Sequence, residues 1–468
     1  MKLYLNSINS IRPALPIAII GGLLLLVFEL IRRSKGGKND LFNFEKDVSE
    51  STKNQGKQVK LDMEKTALGI SPNKRNIFVP NNAKHIFVCG TTGSGKTVAL
   101  SNFVKAGIEY DYPMLIVDGK GDIGKDSLLD IVTRLSNEKK VYVIDLNNPD
   151  TCDKYNPFRN TSADIIKDML INMTNWSEEH YKYNTERYIQ RLCGLLELAS
   201  IAVSLDSLTK FLPPAQFTLL SKKLAEETLL TKEEHARNME LAKVSGEIAE
   251  GASARFSTIK ESRLGQIFHE DGIDIYSALQ ENAVVLFVLN PLMYPEMSPL
   301  IGKLIVIDSK KAVSLLYQNT KKRIFYILDE INVYISRAMI DLVNKSRSAN
   351  ITCILATQSL SDLDNINGET FLETVVENCN NYILLRQNSN TNAESWAQIL
   401  GTRKTMSATY QIKGGSDGSA TPTELGSLHR AYEYIYHPNT IKELETGHAI
   451  FLSRDLKFHS KVKINKPF

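Results

Sequence analysis

The chain has 468 residues, of which 43% are hydrophobic and 23% are charged, so it holds enough apolar material for two or three globular domains. Its formal net charge of +3 excludes a strongly basic field over the whole protein, although a basic surface for nucleic acid can still be local. Five cysteines are scattered without a CxxC pair, which favours reduced thiols in a cytosolic domain over a disulfide framework or a zinc site.

The first predicted element is an apolar helix near the N-terminus. Residues 14–31 form an almost continuous apolar run with one acid, Glu29, and at about 1.5 Å per residue the run is just long enough to cross a bilayer. Four basic residues follow it within positions 32–38 and two precede it, which predicts that the rest of the chain stays in the cytoplasm. A cleaved signal peptide or a buried core helix is the alternative, but no small-residue cleavage site follows the run. We expect residues 1–33 to be a single-pass anchor in the cell membrane.

The next segment, 34–60, has the polar, charged composition of a solvated linker. We expect the folded body to begin near Leu61. From there, short apolar runs alternate with helical stretches, which predicts βαβ units and a mostly parallel sheet. The first predicted strands are 85–89, 114–117 and 141–144.

The pattern then changes to apolar residues at helical spacing, without a convincing strand. This predicts an all-α domain at 161–280, inserted between the two parts of one α/β domain, 61–160 and 281–468. Near the end of the chain, 407–426 is rich in Gly, Ser and Thr and predicts a mobile polar loop. The later predicted strands are 283–289, 324–328, 352–356 and 382–385.

One glycine-rich loop, GTTGSGKT, follows the first predicted buried strand and precedes a helical segment. A triphosphate carries several negative charges, and glycines let many backbone N–H groups converge on it at the positive end of a helix. Lys96 should reach the β- and γ-phosphates, while the Thr97 hydroxyl should bind Mg²⁺. We therefore expect ATP and Mg²⁺ as cofactors. The predicted nucleotide-binding residues are Gly90, Thr91, Thr92, Gly93, Ser94, Gly95, Lys96 and Thr97.

Two adjacent acids follow the apolar strand that ends at Leu328. Asp329 is predicted to hold the metal, and Glu330 to act as the general base on the attacking water. Two acids after a strand can also start an ordinary loop, but the upstream glycine-rich loop favours the catalytic role. Gln358 ends a later strand, where RecA-like ATPases place a polar residue between the acids and the γ-phosphate. The acid pair disfavours a small GTPase, and the lack of an LSGGQ sequence disfavours an ABC transporter.

With these motifs in order, the chain resembles the type IV secretion and conjugation coupling proteins, the TraG/TraD class of RecA-like P-loop ATPases. The family usually has two membrane helices where this chain shows one, and many members read DPKG where this chain has Asp118-Gly119-Lys120-Gly121. The resemblance rests on the membrane segment, GTTGSGKT, LIVDGKGD (115–122), YNPF (155–158), LDE (328–330), LATQS (355–359) and HPNTIKELETGHAIFL (437–452).

The resemblance implies a membrane-anchored homo-hexamer that hydrolyses ATP to pump DNA, single-stranded and without sequence preference, into a type IV secretion channel. Relaxase and relaxosome proteins would be its partners, recruited through the all-α domain. Two alternatives stay open: a motor that recruits and moves protein effectors, and a receptor that binds ATP without pumping.

Hexameric motors of this kind complete each site with an arginine from the neighbouring subunit. Arg386 is the first candidate and Arg347 the second, although each can also be a surface ion-pair residue. For DNA phosphates, Lys120, Lys125 and the pair Arg403–Lys404 are candidates that a solvated face explains equally well.

Overall fold

The structure is a computed structural model that describes residues 64–82, 84–136, 138–173, 179–317, 322–363, 371–414 and 420–467. The predicted membrane anchor and linker lie outside these residues. Among the helices of the described ranges, none combines the length and the apolar character needed to span a bilayer.

The first part of the described chain alternates strands and helices. Its strands are short and, in the case of the third and fourth, buried along their whole length. The elements are β1 (Lys65–Ile70), β2 (Asn76–Pro80), β3 (His85–Cys89), α1 (Lys96–Glu109), β4 (Met114–Asp118), α2 (Leu128–Leu135) and β5 (Val141–Asp145).

The second part is helical. Two of its helices begin with a capping box, in which a Ser or Thr side chain and the residue three positions later satisfy each other's backbone N–H groups. The helices are α3 (Ala163–Met173), α4 (Glu179–Leu198), α5 (Leu205–Phe211), α6 (Pro214–Glu226), α7 (Lys232–Glu261) and α8 (Ile275–Gln280).

The third part returns to alternating strands and helices. Its elements are β6 (Val284–Val288), α9 (Met297–Leu316), β7 (Ile324–Asp329), α10 (Arg337–Ser346), β8 (Ile351–Thr357), α11 (Phe371–Asn378) and β9 (Cys379–Leu384). The last part holds α12 (Asn390–Leu400), β10 (Thr402–Gly414), β11 (Ala420–Tyr434), α13 (Pro438–Lys442), β12 (His448–Ser453) and β13 (Phe458–Ile464).

Eleven strands of the described chain form one sheet, in the order β2-β1-β13-β12-β9-β3-β8-β7-β4-β6-β5. The seven from β9 to β5 are parallel, and the other four are antiparallel. Parallel strands with helices on both faces are near-continuous apolar runs, which explains why each of the seven predicted strands has a counterpart here. The predicted α/β fold with a mostly parallel sheet is confirmed.

A buried ionic cluster connects α9 to the chain just before α3. The Lys311 ammonium lies 2.8 Å from an Asp308 carboxylate oxygen and donates to the carbonyl groups of Pro157 and Arg159. The Tyr155 hydroxyl donates to the other Asp308 oxygen at 2.9 Å. The YNPF sequence at 155–158 is therefore fixed to α9 just before the helical segment begins.

By their contacts, the described residues divide into two compact units, 64–393 with 438–467, and 394–437. The smaller unit contains the antiparallel hairpin β10–β11, in which Thr402 pairs with Tyr434 and Gly414 with Ala420. The predicted mobile loop at 407–426 is thus wrong. The Gly- and Ser-rich sequence that suggested it lies mainly between the strands, whose Thr-, Tyr- and Ile-containing sequences suit β-structure.

Candidate active site

The glycine-rich loop occupies the carboxyl edge of the parallel strands, between β3 and α1. Ligands bind at this edge in open α/β sheets. Gly93 has φ 74° and Gly95 has φ 109°, left-handed values that residues with a Cβ atom rarely adopt. The sequence spacing therefore matches the backbone conformation that a phosphate-binding loop requires.

Neighbouring segments hold this loop by hydrogen bonds to its backbone N–H and carbonyl groups. The Thr91 N–H donates to the Arg386 carbonyl at 3.0 Å, and the Gly447 N–H donates to the Ser94 carbonyl at 2.9 Å. The Thr446 hydroxyl donates to the Gly93 carbonyl. An anion needs N–H donors around it, and carbonyl oxygens that accept hydrogen bonds from other segments are kept from repelling it.

Three predicted catalytic side chains meet beside the loop. The Lys96 ammonium lies 2.8 Å from Glu330 Oε2, and these side chains are only 10% and 8% exposed. The Gln358 amide nitrogen donates to Glu330 Oε1, and the Thr92 hydroxyl donates to Gln358 Oε1 at 3.0 Å. Both oxygens of the predicted base are therefore engaged by groups of the same site.

The backbone at Glu330 is in an unusual conformation. Its φ of 50° and ψ of 52° lie in the left-handed region, which costs a residue with a side chain about 1–3 kcal/mol. A Cβ atom on Gly119 would come within 2.8 Å of the Asp329 and Glu330 carbonyl oxygens. The loop after β4 thus packs directly against the strained turn that presents the base.

The two carboxylates behind the base are buried side by side. Asp118 and Asp329 are register partners on β4 and β7. Burial raises the pKa of Asp329 to about 6, against a smaller lowering by the Lys96 charge. Burial and the neighbouring Asp329 raise the pKa of Asp118 to about 7, although Asp118 accepts N–H bonds from Lys120 and Gly121. Such crowding of acids favours a nearby cation.

The predicted magnesium residues lie at the same edge. Thr97 is the second residue of α1, and Asp329 is the last residue of β7. Hydroxyl and carboxylate oxygens are the ligands that Mg²⁺ prefers, so the donor set fits this ion. Asp118 is an additional acid to which the sequence analysis gave no role. The sequence does contain a signal for Asp118. It ends an apolar strand, as Asp329 does.

The two arginine candidates lie at opposite edges of the sheet. Arg386 follows β9, and its carbonyl accepts hydrogen bonds from Thr91 of the same chain. Its Nε atom is buried without a hydrogen-bond partner among the described residues. Arg347 is exposed and precedes β8, at the amino end of that strand. Only Arg386 is beside the loop of its own chain, and action on a neighbouring subunit stays a prediction.

Two of the candidate DNA-binding residues are in ion pairs. The Lys120 ammonium is 2.9 Å from an Asp122 oxygen, and Arg403 is 3.8 Å from Glu433 within the hairpin. Lys125 is exposed. Contact of these residues with DNA stays a prediction.

Comparison with protein families gives two matches. The model described as type IV secretory system conjugative DNA transfer matches residues 42–258. The model described as the TraM recognition site of TraD and TraG matches residues 323–445. An uncharacterized protein of Mycoplasma pneumoniae is 28% identical over 129 residues, which are 28% of this chain and 85% of that protein.

Solved structures show the same fold at low identity. The bacterial conjugative coupling protein TrwBdeltaN70 is 16% identical, with a TM-score of 0.61 over 87% of this chain and 90% of that one. TrwB in complex with ADP and Mg²⁺ is 16% identical, with a TM-score of 0.58 over 88% and 97% of the two chains. VirB4 of Thermoanaerobacter pseudethanolicus is 11% identical, with a TM-score of 0.55 over 87% and 97%.

Proposed function

Because the chain belongs to the type IV secretion coupling proteins, the TraG/TraD class of RecA-like P-loop ATPases, we propose that it hydrolyses ATP to move DNA toward a secretion channel. One observation carries the enzymatic part of this proposal. The loop lysine Lys96, the acid Glu330 and the amide of Gln358 are joined directly at the carboxyl edge of the sheet. A loop that only bound nucleotide would not need a base and a polar partner arranged around its lysine.

The residues of the site would act as follows. An arriving triphosphate draws Lys96 toward its β- and γ-phosphates, which releases Glu330 Oε2 from the ion pair. Glu330 then accepts the proton of the water that attacks the γ-phosphorus, and Gln358 remains within hydrogen-bond reach of Glu330. A Mg²⁺ ion held by Thr97 and Asp329 would neutralise phosphate charge.

The nucleotide assignment has independent support. TrwB, which has the same fold, has been solved with ADP and Mg²⁺ and with a non-hydrolysable ATP analogue. ATP with Mg²⁺ is therefore the substrate form that we propose for this chain, and Arg386 is our candidate for the arginine that completes a neighbouring site.

The remaining parts of the proposal concern assembly and partners. We propose a homo-hexamer on the cell membrane, held by the apolar run at 14–31, with the ATPase domain in the cytoplasm. The matched family descriptions name conjugative DNA transfer and TraM recognition, which supports DNA and relaxosome proteins as partners. Contact with DNA would be through phosphates and so independent of sequence.

Deletion of residues 1–33 should move the chain from the membrane to the soluble fraction. A shortened chain that stays in the membrane would contradict the anchor.

ATP hydrolysis by the purified chain, with and without single- or double-stranded DNA, tests the function. We expect DNA to stimulate hydrolysis, and Lys96→Ala to lower it by at least about 100-fold because the γ-phosphate loses its positive partner. Lys105→Ala is the matched control, since Lys105 is an exposed lysine on the same helix, α1. Full hydrolysis by Lys96→Ala would refute the site. No stimulation by either DNA, together with binding of a secreted protein, would favour the effector-moving alternative.

A further inference from the structure

The side chains at the active site form a ring that begins and ends on the glycine-rich loop. It runs from the Thr92 hydroxyl to Gln358, from Gln358 to Glu330, and from Glu330 to Lys96. We propose that Thr92, an exposed loop residue with no assigned role in catalysis, is a positioning residue that sets the Gln358 amide and, through it, the base. This inference rests on the proposed hydrolysis.

The chemistry of the ring gives the amide one orientation. A carboxylate only accepts hydrogen bonds, so Glu330 requires the nitrogen end of the Gln358 amide. The amide oxygen must then face a donor, and the Thr92 hydroxyl is that donor at 3.0 Å. The reversed amide would place its oxygen against the Glu330 carboxylate, which is repulsive. Thr92 therefore stabilises the orientation that Glu330 needs.

The backbone of Gln358 is held from the opposite side. Its carbonyl accepts a hydrogen bond from the Gln387 amide at 3.4 Å, and Gln387 is only 1% exposed. The Gln358 side chain is bound to Glu330 and to Thr92, and Thr92 is its contact on the loop. A loop displaced by incoming phosphates would thus carry Thr92, and the Gln358 amide would follow.

The neighbouring hydroxyl provides a contrast within the same loop. Thr91 donates through its hydroxyl to the Arg386 carbonyl at 3.2 Å, outside the ring. Thr91 and Thr92 therefore have identical side chains with different contacts. The Thr91 hydroxyl supports the loop, and the Thr92 hydroxyl contacts the Gln358 amide. Loss of either hydroxyl can disturb the loop. Of the two losses, only that of the Thr92 hydroxyl should have an effect on kcat that depends on the presence of Gln358.

A double-mutant cycle on ATP hydrolysis separates the two roles. Thr92→Val should lower kcat about 3- to 10-fold, the usual effect of one lost hydrogen bond. It should change the Kd for ATP by less than about two-fold, because this loop is predicted to bind the phosphates through backbone N–H groups, which the substitution keeps, and the Thr92 hydroxyl is bound to Gln358. In the Gln358→Ala background, Thr92→Val should change kcat by less than about 1.5-fold. Thr92→Ser, which keeps the hydroxyl, should recover at least about half of the lost rate.

Thr91→Val is the comparison variant, and its effect on kcat should be the same factor with Gln358 or with Gln358→Ala. Equal factors for Thr92→Val in both backgrounds, or no loss of kcat at all, would overturn the positioning role while leaving the ATPase proposal intact. A wild-type chain that binds ATP without hydrolysing it would overturn both.

Discussion

Glu330 carries two features at once, a left-handed backbone and an ion pair to the lysine that should bind phosphate. Each is unfavourable or inhibitory by itself, since the backbone is strained and the pair occupies the base. Under the proposed function, a triphosphate therefore competes with Glu330 for Lys96. The competition has a thermodynamic cost that nucleotide binding must overcome.

Replacement of Glu330 by glutamine should separate binding from hydrolysis. Glu330→Gln removes the base and the charge that holds Lys96, so hydrolysis should fall by at least about 100-fold while ATP binds as tightly as to the wild type or more tightly. A Kd by equilibrium binding and a single-turnover rate measure the two effects. The exposed Glu226 gives the control Glu226→Gln. Weaker ATP binding by Glu330→Gln would contradict the competition for Lys96.

Asp118 should make the nucleotide-free chain sensitive to pH. Its pKa is raised from 3.8 to about 7, chiefly by burial. An unfolded Asp is ionised above about pH 4, whereas the folded Asp118 keeps its proton up to about pH 7. Protonated Asp118 therefore contributes its full share of the folding stability below pH 4, and this share is lost as the pH rises through 7.

Thermal unfolding of Asp118→Asn tests this sign. At pH 8 the variant should unfold at least about 2 °C above the wild type, and the difference should shrink toward pH 5. The exposed Asp271 gives the control Asp271→Asn, which should follow the wild type at both values. A difference that grows as the pH falls would contradict the assignment.

At the scale of elements, the turn after β4 and the turn after β7 are in backbone contact. The Gly119 N–H donates to the Asp329 carbonyl at 3.2 Å, a bond that a proline at this position could not make. This chain has glycine where many family members have proline, and in this chain the Glu330 turn approaches that glycine closely.

Gly119→Ala should therefore damage activity more than stability. The new Cβ would lie 2.8 Å from two carbonyl oxygens, so the turn that presents Glu330 must shift, and we expect hydrolysis to fall at least about 10-fold. Gly251→Ala is the matched control, because nothing lies within 4 Å of its Cβ position in α7. It should leave activity unchanged and slightly stabilise the helix. Equal activity of the two variants would refute the close approach.

The cluster around Lys311 should account for much of the stability where α9 meets the YNPF sequence. Lys311→Met leaves the buried Asp308 and Asp274 carboxyl groups without their cation, which should cost about 3–5 kcal/mol of unfolding free energy. Lys310→Met breaks the more exposed pair with Asp341 and should cost at most about 1 kcal/mol. Urea unfolding compares them, and equal losses would contradict the burial argument.

The sequence predicts the strands and the loop because both depend on local pattern. Buried parallel strands are apolar runs, and the phosphate loop needs glycines at fixed spacing, so β3, β7 and the residues 90–97 follow directly. The ring through Thr92 and the acid Asp118 depend on which strands become neighbours, and that is decided by long-range packing. The hairpin β10–β11 was missed because the Gly and Ser residues between its strands made the composition of the whole segment resemble that of a loop.

In the proposed function, the ATPase site of the complete protein drives the movement of a polymer. The site lies entirely within one chain except for the arginine that a neighbour would supply. The match to conjugative DNA transfer covers residues 42–258, which includes the loop, helices α3–α6 and most of α7. The description of that family names conjugative DNA transfer, and transport of DNA by this chain is proposed on that basis.

Displacement of streptavidin from biotinylated single-stranded DNA measures whether the chain moves along DNA. With ATP and Mg²⁺, the full chain should displace streptavidin at a rate that falls with rising salt, because phosphate contacts weaken. Lys96→Ala, or a non-hydrolysable analogue, should give no displacement above background. ATP hydrolysis by the wild type together with displacement no faster than that of Lys96→Ala would contradict the account.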